Sequence, residues 1–420
     1  MKQISGGVAA PKGFTASGVH CGVKKGKGDG NQPPMSRMPE VLEGKKDLAL
    51  IVSEQPCTAA AVYTMNRVKA APLYVTMDHL ENGEAQAIVA NSGNANACAP
   101  NSHEHAEKMC ELAAQATGLK ASDFVVASTG VIGQELNIAA IQAGLPACAA
   151  ALSKDGSDAA ANAIMTTDTV KKELAVTCSI GGKTVTIGAI AKGSGMIHPN
   201  MGTMLCFITT DCAVSPEMIR AALLDTVRVS FNRISVDGDT STNDTCCILA
   251  NGMAGNAPIT EKGPDCDAFT AALKVLCTEL AKQMASDGEG ASHLITCTVT
   301  GAKDEQSAET VAKSVIGSAL TKAAIFGADA NWGRVLCAMG YSGVDFDPDK
   351  VDVAFESAAG SVQVCARGRG LDFDEELAKR VLTEHDVTIA IAMGEGEGRC
   401  TCWGCDLTYE YVKINGDYRT

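Results

Sequence analysis

Short apolar runs alternate with polar, glycine-containing turns along most of the chain, and this pattern predicts strands and helices in mixed order. The predicted strands cover residues 48–52, 59–65, 87–90, 124–127, 174–180, 184–191, 204–208, 293–299, 351–355, 362–366, 387–393 and 402–414. Helical periodicity covers residues 103–117, 216–227, 267–285, 308–324 and 374–382, together with an alanine-rich stretch that ends at Ala151. Because hairpins and helices are interspersed, the pattern predicts an α+β fold in which helices cover β-sheets.

One predicted strand follows a distinctive turn. The run at residues 204–208 is apolar throughout, and the loop at residues 193–202 before it is rich in glycine, proline and asparagine. Thr203 therefore stands at the first position of a buried strand, directly after a tight loop. A hydroxyl presented there can serve as a nucleophile, but the same pattern also describes an ordinary threonine at the start of a strand.

The balance of charge and hydrophobicity narrows the classes of function. The 420 residues carry a formal net charge of -14, and 46% of them are hydrophobic, which is typical of a large globular protein. An acidic surface disfavours binding to nucleic acid or anionic membranes through bulk charge.

No apolar run approaches the roughly 18 to 20 residues of a membrane span. Glycines, Pro11 and Lys12 interrupt the N-terminal stretch where a signal peptide would need an apolar region. We therefore expect a cytoplasmic protein.

The 18 cysteines are scattered, as expected for small buried side chains in a reducing compartment. The tightest group is Cys400, Cys402 and Cys405, whose spacing could bind zinc, but no second pair of matching spacing accompanies it. Two glycine-containing segments are poor nucleotide motifs. Residues 182–184 lack the first glycine of a P-loop, and residues 394–398 precede a predicted strand rather than a helix. We expect no metal site and no nucleotide fingerprint.

Longer motifs carry a more specific signal. They are ANSGNANAC at residues 90–98, STGVIG at 128–133, TTDT at 166–169, KGSGMIHPNMGTMLCFITTD at 192–211, FNRISVDGDTSTNDT at 231–245, GADANWGR at 327–334 and WGCDLTYEYVKINGDYRT at 403–420. In this order they resemble the ornithine acetyltransferase family, the glutamate N-acetyltransferases of arginine biosynthesis, over nearly the whole chain. Precursors of that family cut themselves before the threonine, so the resemblance implies cleavage between Gly202 and Thr203. Family members usually have alanine where Gly202 stands.

The resemblance also implies an architecture. It is a layered sandwich of sheets and helices similar to that of N-terminal-nucleophile enzymes, with a smaller β-rich C-terminal domain from about residue 290. Cleavage would give an alpha chain of residues 1–202 and a beta chain of residues 203–420. Two alpha and two beta chains are expected to form a heterotetramer.

The site residues follow from the same resemblance. Thr129 and Gly130 match the family's oxyanion-hole pair. The matched substrate contacts are Thr166, Lys192, Thr203, Glu289, Asn415 and Thr420. Lys192 suits a substrate carboxylate and Glu289 suits an amino group, although an isolated charge at either position is also explained as a solvated surface group. Either threonine of the pair at residues 166–167 could point inward.

Such a site would supply both its nucleophile and its base from one residue. Cleavage would give Thr203 a free α-amine with a pKa near ~8, which can take the proton of its own hydroxyl. N-acetylornithine would then acylate Thr203, and glutamate would accept the acetyl group. Since one amide is exchanged for another, no cofactor is expected, although some family members also accept acetyl-CoA.

The C-terminal segment is expected to close the pocket. Cys405, Leu407, Tyr409 and Tyr411 alternate, which predicts a strand with one buried face that holds the chain end over the site. Two other classes of function remain open on the sequence. One is an N-terminal-nucleophile amidohydrolase or aminopeptidase, in which water accepts the acyl group. The other is a non-catalytic amino-acid-binding protein, which would require an uncut chain.

Overall fold

The computed structural model describes residues 1–24, 44–198 and 204–417, which form two mixed β-sheets covered by helices. This arrangement confirms the predicted α+β fold. The strands are β1 (Lys2–Ile4), β2 (Phe14–Val19), β3 (Leu48–Tyr63), β4 (Glu84–Asn94), β5 (Phe124–Val131), β6 (Lys172–Ile180), β7 (Lys183–Lys192), β8 (Leu205–Thr210), β9 (Ile234–Ser235), β10 (Thr245–Ala250), β11 (Leu294–Ala302), β12 (Asp352–Ser357), β13 (Gly360–Ala366), β14 (Arg369–Gly370), β15 (Asp386–Ala392) and β16 (Gly398–Cys405). The helices are α1 (Ala71–His79), α2 (Ser102–Thr117), α3 (Ile138–Ala150), α4 (Ser157–Ile164), α5 (Pro216–Val229), α6 (Pro264–Ser286), α7 (Glu305–Gly317), α8 (Ala319–Phe326), α9 (Trp332–Gly340), α10 (Glu375–Thr383) and α11 (Tyr409–Asp417).

The first sheet has nine strands in the order β1-β6-β7-β8-β10-β3-β4-β5, and β2 pairs with β3 outside this path. The hairpin predicted at residues 174–191 is confirmed as β6 and β7. Its two turn residues, Gly181 and Gly182, have positive φ angles of 54° and 75°, which suit glycine. Strand β8 lies in the interior of the sheet, antiparallel to β7 and parallel to β10.

Burial on both faces explains why β8 reads as a continuous apolar run. Leu205 and Phe207 pack on the side that α4 covers, whereas Cys206 and Ile208 pack on the side that α5 and α6 cover. An interior strand between two helical layers needs apolar side chains at every position rather than at alternate positions. The predicted strand at residues 204–208 is confirmed, and it continues to Thr210.

The second sheet has seven strands in the order β14-β13-β12-β15-β11-β16-β9. Its core is formed with side chains of α7, α9 and α10, including Val311, Val335 and Val381. The predicted hairpin at residues 351–366 is confirmed as β12 and β13. In the described part of the chain, no helix has both the length and the apolar character needed to cross a membrane.

The structure joins two of the predicted strands and divides one of the predicted helices. The strands predicted at residues 48–52 and 59–65 are one strand, β3, because a shift of register against β4 between Val52 and Cys57 accommodates the polar stretch around Pro56. The helix predicted at residues 308–324 is two helices. They meet at Ser318, whose hydroxyl accepts the Thr321 amide and so caps the start of α8.

The strand predicted at residues 402–414 was wrong beyond its first four residues. Strand β16 ends at Cys405, and the chain then forms α11. The Thr408 hydroxyl donates to the Gly290 carbonyl at 2.6 Å and accepts the Glu410 amide at 3.2 Å, so it anchors the turn that starts the helix. Tyr409 is 83% exposed, so the alternating side chains do not form a buried face.

Candidate active site

A polar pocket lies where β7 ends and β8 begins. Its lining includes Thr129, Lys192, Gly195, Met204, Asn243 and Asp244. Met204 is buried immediately before β8, and its carbonyl accepts the Thr245 amide at 2.9 Å, which ties the start of β8 to the start of β10. The predicted cleavage pair, Gly202 and Thr203, lies outside the described residues, next to Met204 in sequence. Thr420 also lies outside them.

The structure brings Lys192 and Thr129 together. Lys192 ends β7, and its buried ammonium donates a hydrogen bond to Thr129 Oγ1 at 3.2 Å. Burial lowers the pKa of Lys192, and the negative charge of Asp168 acts in the opposite direction. A cation withheld from water gains free energy from an anionic ligand, so this ammonium suits a carboxylate.

Gly130 occupies a position that no other residue fits without backbone movement. It has φ of 133°, and a Cβ built on it would lie 2.7 Å from Gly93 Cα and 2.5 Å from the Asn94 nitrogen. Both of those neighbours belong to β4, which continues to Asn94, beyond the strand predicted at residues 87–90. The close approach of β4 and β5 sets the position of the Thr129–Gly130 backbone at the pocket. The oxyanion role of this pair stays a prediction.

The structure also brings Glu289 and Asn415 together. Asn415 Nδ2 donates to Glu289 Oε2 at 2.8 Å, and the Glu289 amide donates to the Ser194 carbonyl at 2.9 Å. The carboxylate of Glu289 fills the space where a side chain at position 195 would stand, because Gly195 has none. Asn415 therefore reaches the site from helix α11 and not from the predicted strand.

The two threonines that precede β6 have different surroundings. The Thr167 hydroxyl forms a hydrogen bond with Ser194 Oγ at 2.7 Å. Thr166 is buried, and its amide donates to Asp168 Oδ2 at 3.0 Å. Both threonines thus lie next to the strand and loop that carry Lys192, and the substrate contact predicted for Thr166 stays a prediction.

Three carboxylates at this site were missed as functional candidates. Asp168 accepts the Gly193 amide at 2.7 Å, and Asp237 accepts the amides of Met196 and Ile197 at 2.6 and 2.9 Å. Asp244 is buried at the pocket, and its Oδ2 has no hydrogen-bond partner among residues 1–24, 44–198 and 204–417.

Burial raises the pKa of Asp244 well above the usual carboxyl range. All three acids occur in the motifs at residues 166–169 and 231–245. An aspartate inside one of these family motifs was the signal that could have identified them.

The cysteine group does not form a metal-binding cluster. Cys400 and Cys402 lie 3.9 Å apart at sulphur on β16, whereas Cys405 lies 3.7 Å from Lys322 Nζ. Within the part of the chain that the structure describes, no three His, Cys, Asp or Glu side chains are arranged to hold a metal ion.

The fold and the pocket together define a class of protein. It is an α+β protein in which interior strands of a sheet present a buried ammonium, buried carboxylates and a glycine-lined backbone at one pocket. Such a set suits a small ligand that carries both positive and negative charges. The chain belongs to the ArgJ family, whose model matches residues 37–420. The family predicted from the motifs is thereby confirmed.

Individual relatives match along their whole length. The chain is 52% identical over 421 residues to the arginine biosynthesis bifunctional protein ArgJ of Symbiobacterium thermophilum, covering 100% of each chain. It is 44% identical to the protein of that name from Bacillus subtilis, covering 100% of this chain and 98% of the relative. Among solved structures, it is 36% identical to the ornithine acetyltransferase from Mycobacterium tuberculosis complexed with ornithine. That match covers 47% of this chain and 96% of the other, with a TM-score of 0.39.

Proposed function

We propose that the protein is a self-processing glutamate N-acetyltransferase that moves an acetyl group from N-acetyl-L-ornithine to L-glutamate. Membership in the ArgJ family supports this reaction, and the names of its relatives concern arginine biosynthesis. The observation that carries the proposal is the hydrogen bond from the buried Lys192 ammonium to Thr129 Oγ1, in a pocket that Met204 also lines.

The first step is self-cleavage. Thr203 Oγ attacks the carbonyl carbon of Gly202, the bond from that carbon to the Thr203 nitrogen breaks, and the hydroxyl proton ends on the nitrogen. Water then opens the ester, which leaves a carboxylate on Gly202 and a free amine and hydroxyl on Thr203. The new amine supplies the base that an internal threonine lacks.

The second step is acetyl transfer. Thr203 Oγ attacks the acetyl carbonyl of N-acetylornithine, while its own amine takes the hydroxyl proton and returns it to the departing nitrogen of ornithine. The glutamate amine then attacks the acetyl ester and frees Thr203. Donors at Thr129 and Gly130 would stabilise each oxyanion, and one such donor is worth roughly 3 to 4 kcal/mol.

Substrate recognition follows from the charges of the site. The Lys192 ammonium would pair with a substrate carboxylate, and the Glu289 carboxylate, held by Asn415, would accept a substrate ammonium. Thr166 and Thr420 are proposed as further substrate contacts. Because the acetyl group passes between two amines through an ester, the reaction requires no cofactor.

A denaturing gel tests the cleavage. Wild-type protein should run as two fragments, residues 1–202 and 203–420, whereas Thr203→Ala should remain one chain without transferase activity. Thr203→Ser is the matched control, because it keeps a hydroxyl and an amine and should still be cut. Normal processing of Thr203→Ala would rule out this mechanism.

Initial-rate kinetics test the transfer. Parallel double-reciprocal lines are expected, with an acetyl group on the fragment that begins at Thr203. A rate that requires both substrates bound together, without an acetylated fragment, would favour direct transfer instead. Release of acetate at the same rate with and without glutamate would identify an amidohydrolase.

The bifunctional description of the relatives supports a second donor for the same nucleophile. We propose that acetyl-CoA can also acylate Thr203, with coenzyme A thiol as the leaving group. Incubation with acetyl-CoA and glutamate should then release free thiol, and Thr203→Ala should release none. We further propose a cytoplasmic heterotetramer of two alpha and two beta chains, which the native mass can test.

A further inference from the structure

A buried cluster of three charges lies behind the pocket, outside the residues proposed to touch substrate. Lys172 is the first residue of β6, and its side chain is 0% exposed. Its ammonium lies 2.7 Å from Asp168 Oδ1 and 2.5 Å from Asp287 Oδ2. Charges this deeply buried persist only where their partners compensate them, so the three groups have little freedom to move independently.

The Asp168 carboxylate connects this cluster to two of the candidate substrate contacts. Besides Lys172, it accepts the Thr166 amide at 3.0 Å and the Gly193 amide at 2.7 Å. Gly193 directly follows Lys192. One carboxylate therefore fixes the backbone at Thr166 and at the end of β7.

The Asp287 carboxylate connects the cluster to a third candidate contact. It accepts the Thr169 amide at 3.1 Å and lies two positions before Glu289 in sequence. With a cut after residue 202, Asp168 and Lys172 would belong to the first fragment and Asp287 to the second. The cluster would then also hold the two fragments together at the site.

The cluster acts on Lys192 through charge. Burial lowers the pKa of the Lys192 ammonium, and the largest influence that raises it again is Asp168. The other charged groups that act on this ammonium are Lys172, Glu289, Asp244 and Lys24. Of these, Lys172 lowers the pKa of Lys192, whereas Glu289 and Asp244 raise it. The Asp168 carboxylate thus opposes the effect of burial on the Lys192 ammonium, although Asp168 is not among the proposed substrate contacts.

We propose that Asp168, clamped by Lys172, is a positioning residue for acetyl transfer: it fixes Thr166 and Gly193 in place and supplies the negative charge that keeps Lys192 ready for a substrate carboxylate. The inference rests on the proposed function. It goes beyond it by assigning a role to a charge cluster that makes no contact with the reacting atoms.

Two matched variants test the electrostatic part. Lys192 binds a carboxylate only when protonated, so kcat/KM should fall at alkaline pH as Lys192 loses its proton. Asp168→Asn removes a negative charge, so the fall of kcat/KM on the alkaline side of the pH profile, the alkaline limb, should move to lower pH by about one unit or more. Lys172→Met removes a positive charge and should move it to higher pH. Two variants that merely loosened the fold would not shift the limb in opposite directions.

Asp168→Glu tests the positional part, because it keeps the charge and displaces the carboxylate. We expect an unchanged alkaline limb and a kcat/KM lower by on the order of 100-fold, mostly through KM. If either neutral variant fails to melt cooperatively, the double variant Asp168→Asn with Lys172→Met replaces it, since neutral pairs often fold where a single buried charge does not. The double variant should show a raised KM and a limb between those of the single variants.

The outcomes separate the two proposals. Wild-type protein without glutamate-dependent transfer from N-acetylornithine would overturn the proposed function and this inference with it. Active wild-type protein, combined with a wild-type KM in Asp168→Glu and an unmoved limb in the folded neutral variants, would overturn the role of Asp168 alone.

Discussion

Replacing Gly130 by alanine tests whether the close approach of β4 and β5 sets the geometry of the site. The new Cβ would lie 2.7 Å from Gly93 Cα and 2.5 Å from the Asn94 nitrogen, both of which are backbone atoms. Non-bonded carbon atoms prefer about 3.5 to 4.0 Å, so the strand ends must separate by about 1 Å. A displacement of that size at a reacting site costs on the order of 100-fold in rate.

The stability of this variant should fall for two reasons. The φ angle of 133° at Gly130 disfavours any side chain, at roughly 1 to 2 kcal/mol. The steric overlap adds about 1 to 3 kcal/mol, as overpacking does elsewhere. We therefore expect Gly130→Ala to lose about 2 to 5 kcal/mol of unfolding free energy and about two orders of magnitude in kcat.

Gly133→Ala separates the two contributions. Gly133 has φ of 79°, but a Cβ there would meet no atom within 4 Å. This variant should lose only the conformational part, roughly 1 to 2 kcal/mol, and keep its kcat. Chemical denaturation and glutamate-dependent turnover should be measured on both variants. Equal kcat values in the two would refute the idea that the contact between β4 and β5 positions the site.

Three further changes have expected outcomes. Gly195→Ala should displace the Glu289 carboxylate and raise KM about tenfold or more, as loss of a charge-assisted hydrogen bond does; an unchanged KM would count against Glu289 as a contact. Asp237→Asn weakens the acceptor of two amides in the segment before the proposed cut, so the two fragments should appear more slowly on a denaturing gel, and unaltered timing would contradict this. Burial opposes ionisation of Asp406, but hydrogen bonds, chiefly from His293, lower its pKa overall. The stability that this carboxylate contributes is therefore complete above its ordinary pKa of about 3.9 and is lost as the pH falls through the lower folded value. The melting temperatures of wild type and Asp406→Asn should accordingly differ most near pH 6 and converge in acid, whereas a constant difference would show that its charge is irrelevant.

The local sequence pattern was sufficient to predict those strands whose conformation depends mainly on their own residues. Two glycines at a hairpin turn and an apolar run for an interior strand predicted β6, β7 and β8 correctly. The hairpin turn depends on two adjacent glycines, and the burial of β8 on both faces is indicated by the unbroken apolar run at residues 204–208. The residues near β8 that match the family motif include Lys192, and the structure places its ammonium in contact with Thr129, which belongs to another matched motif.

Tertiary contacts decided what the pattern could not. The alternation of Leu407, Tyr409 and Tyr411 fits a strand, but the hydrogen bond from Thr408 to the Gly290 carbonyl starts a helix instead. The role of Asp168 depends on the Lys172 ammonium, four residues away, and on the Gly193 amide, 25 residues away. Hydrophobic periodicity within one element does not predict contacts of this kind. Carboxylates that act through distant backbone amides are therefore the hardest site residues to predict.

The order of strands in the first sheet has a consequence for the life of the protein after a cut at the proposed position. Seven of its nine strands precede residue 203, and the other two, β8 and β10, lie side by side between β7 and β3. Strands β8 and β10 of the second fragment would thus be inserted between strands of the first fragment. Folding must then precede cutting, since only the intact chain delivers both sets at a fixed local concentration. Once cut and unfolded, the two fragments could rejoin only by collision, so refolding after thermal denaturation should become dependent on protein concentration.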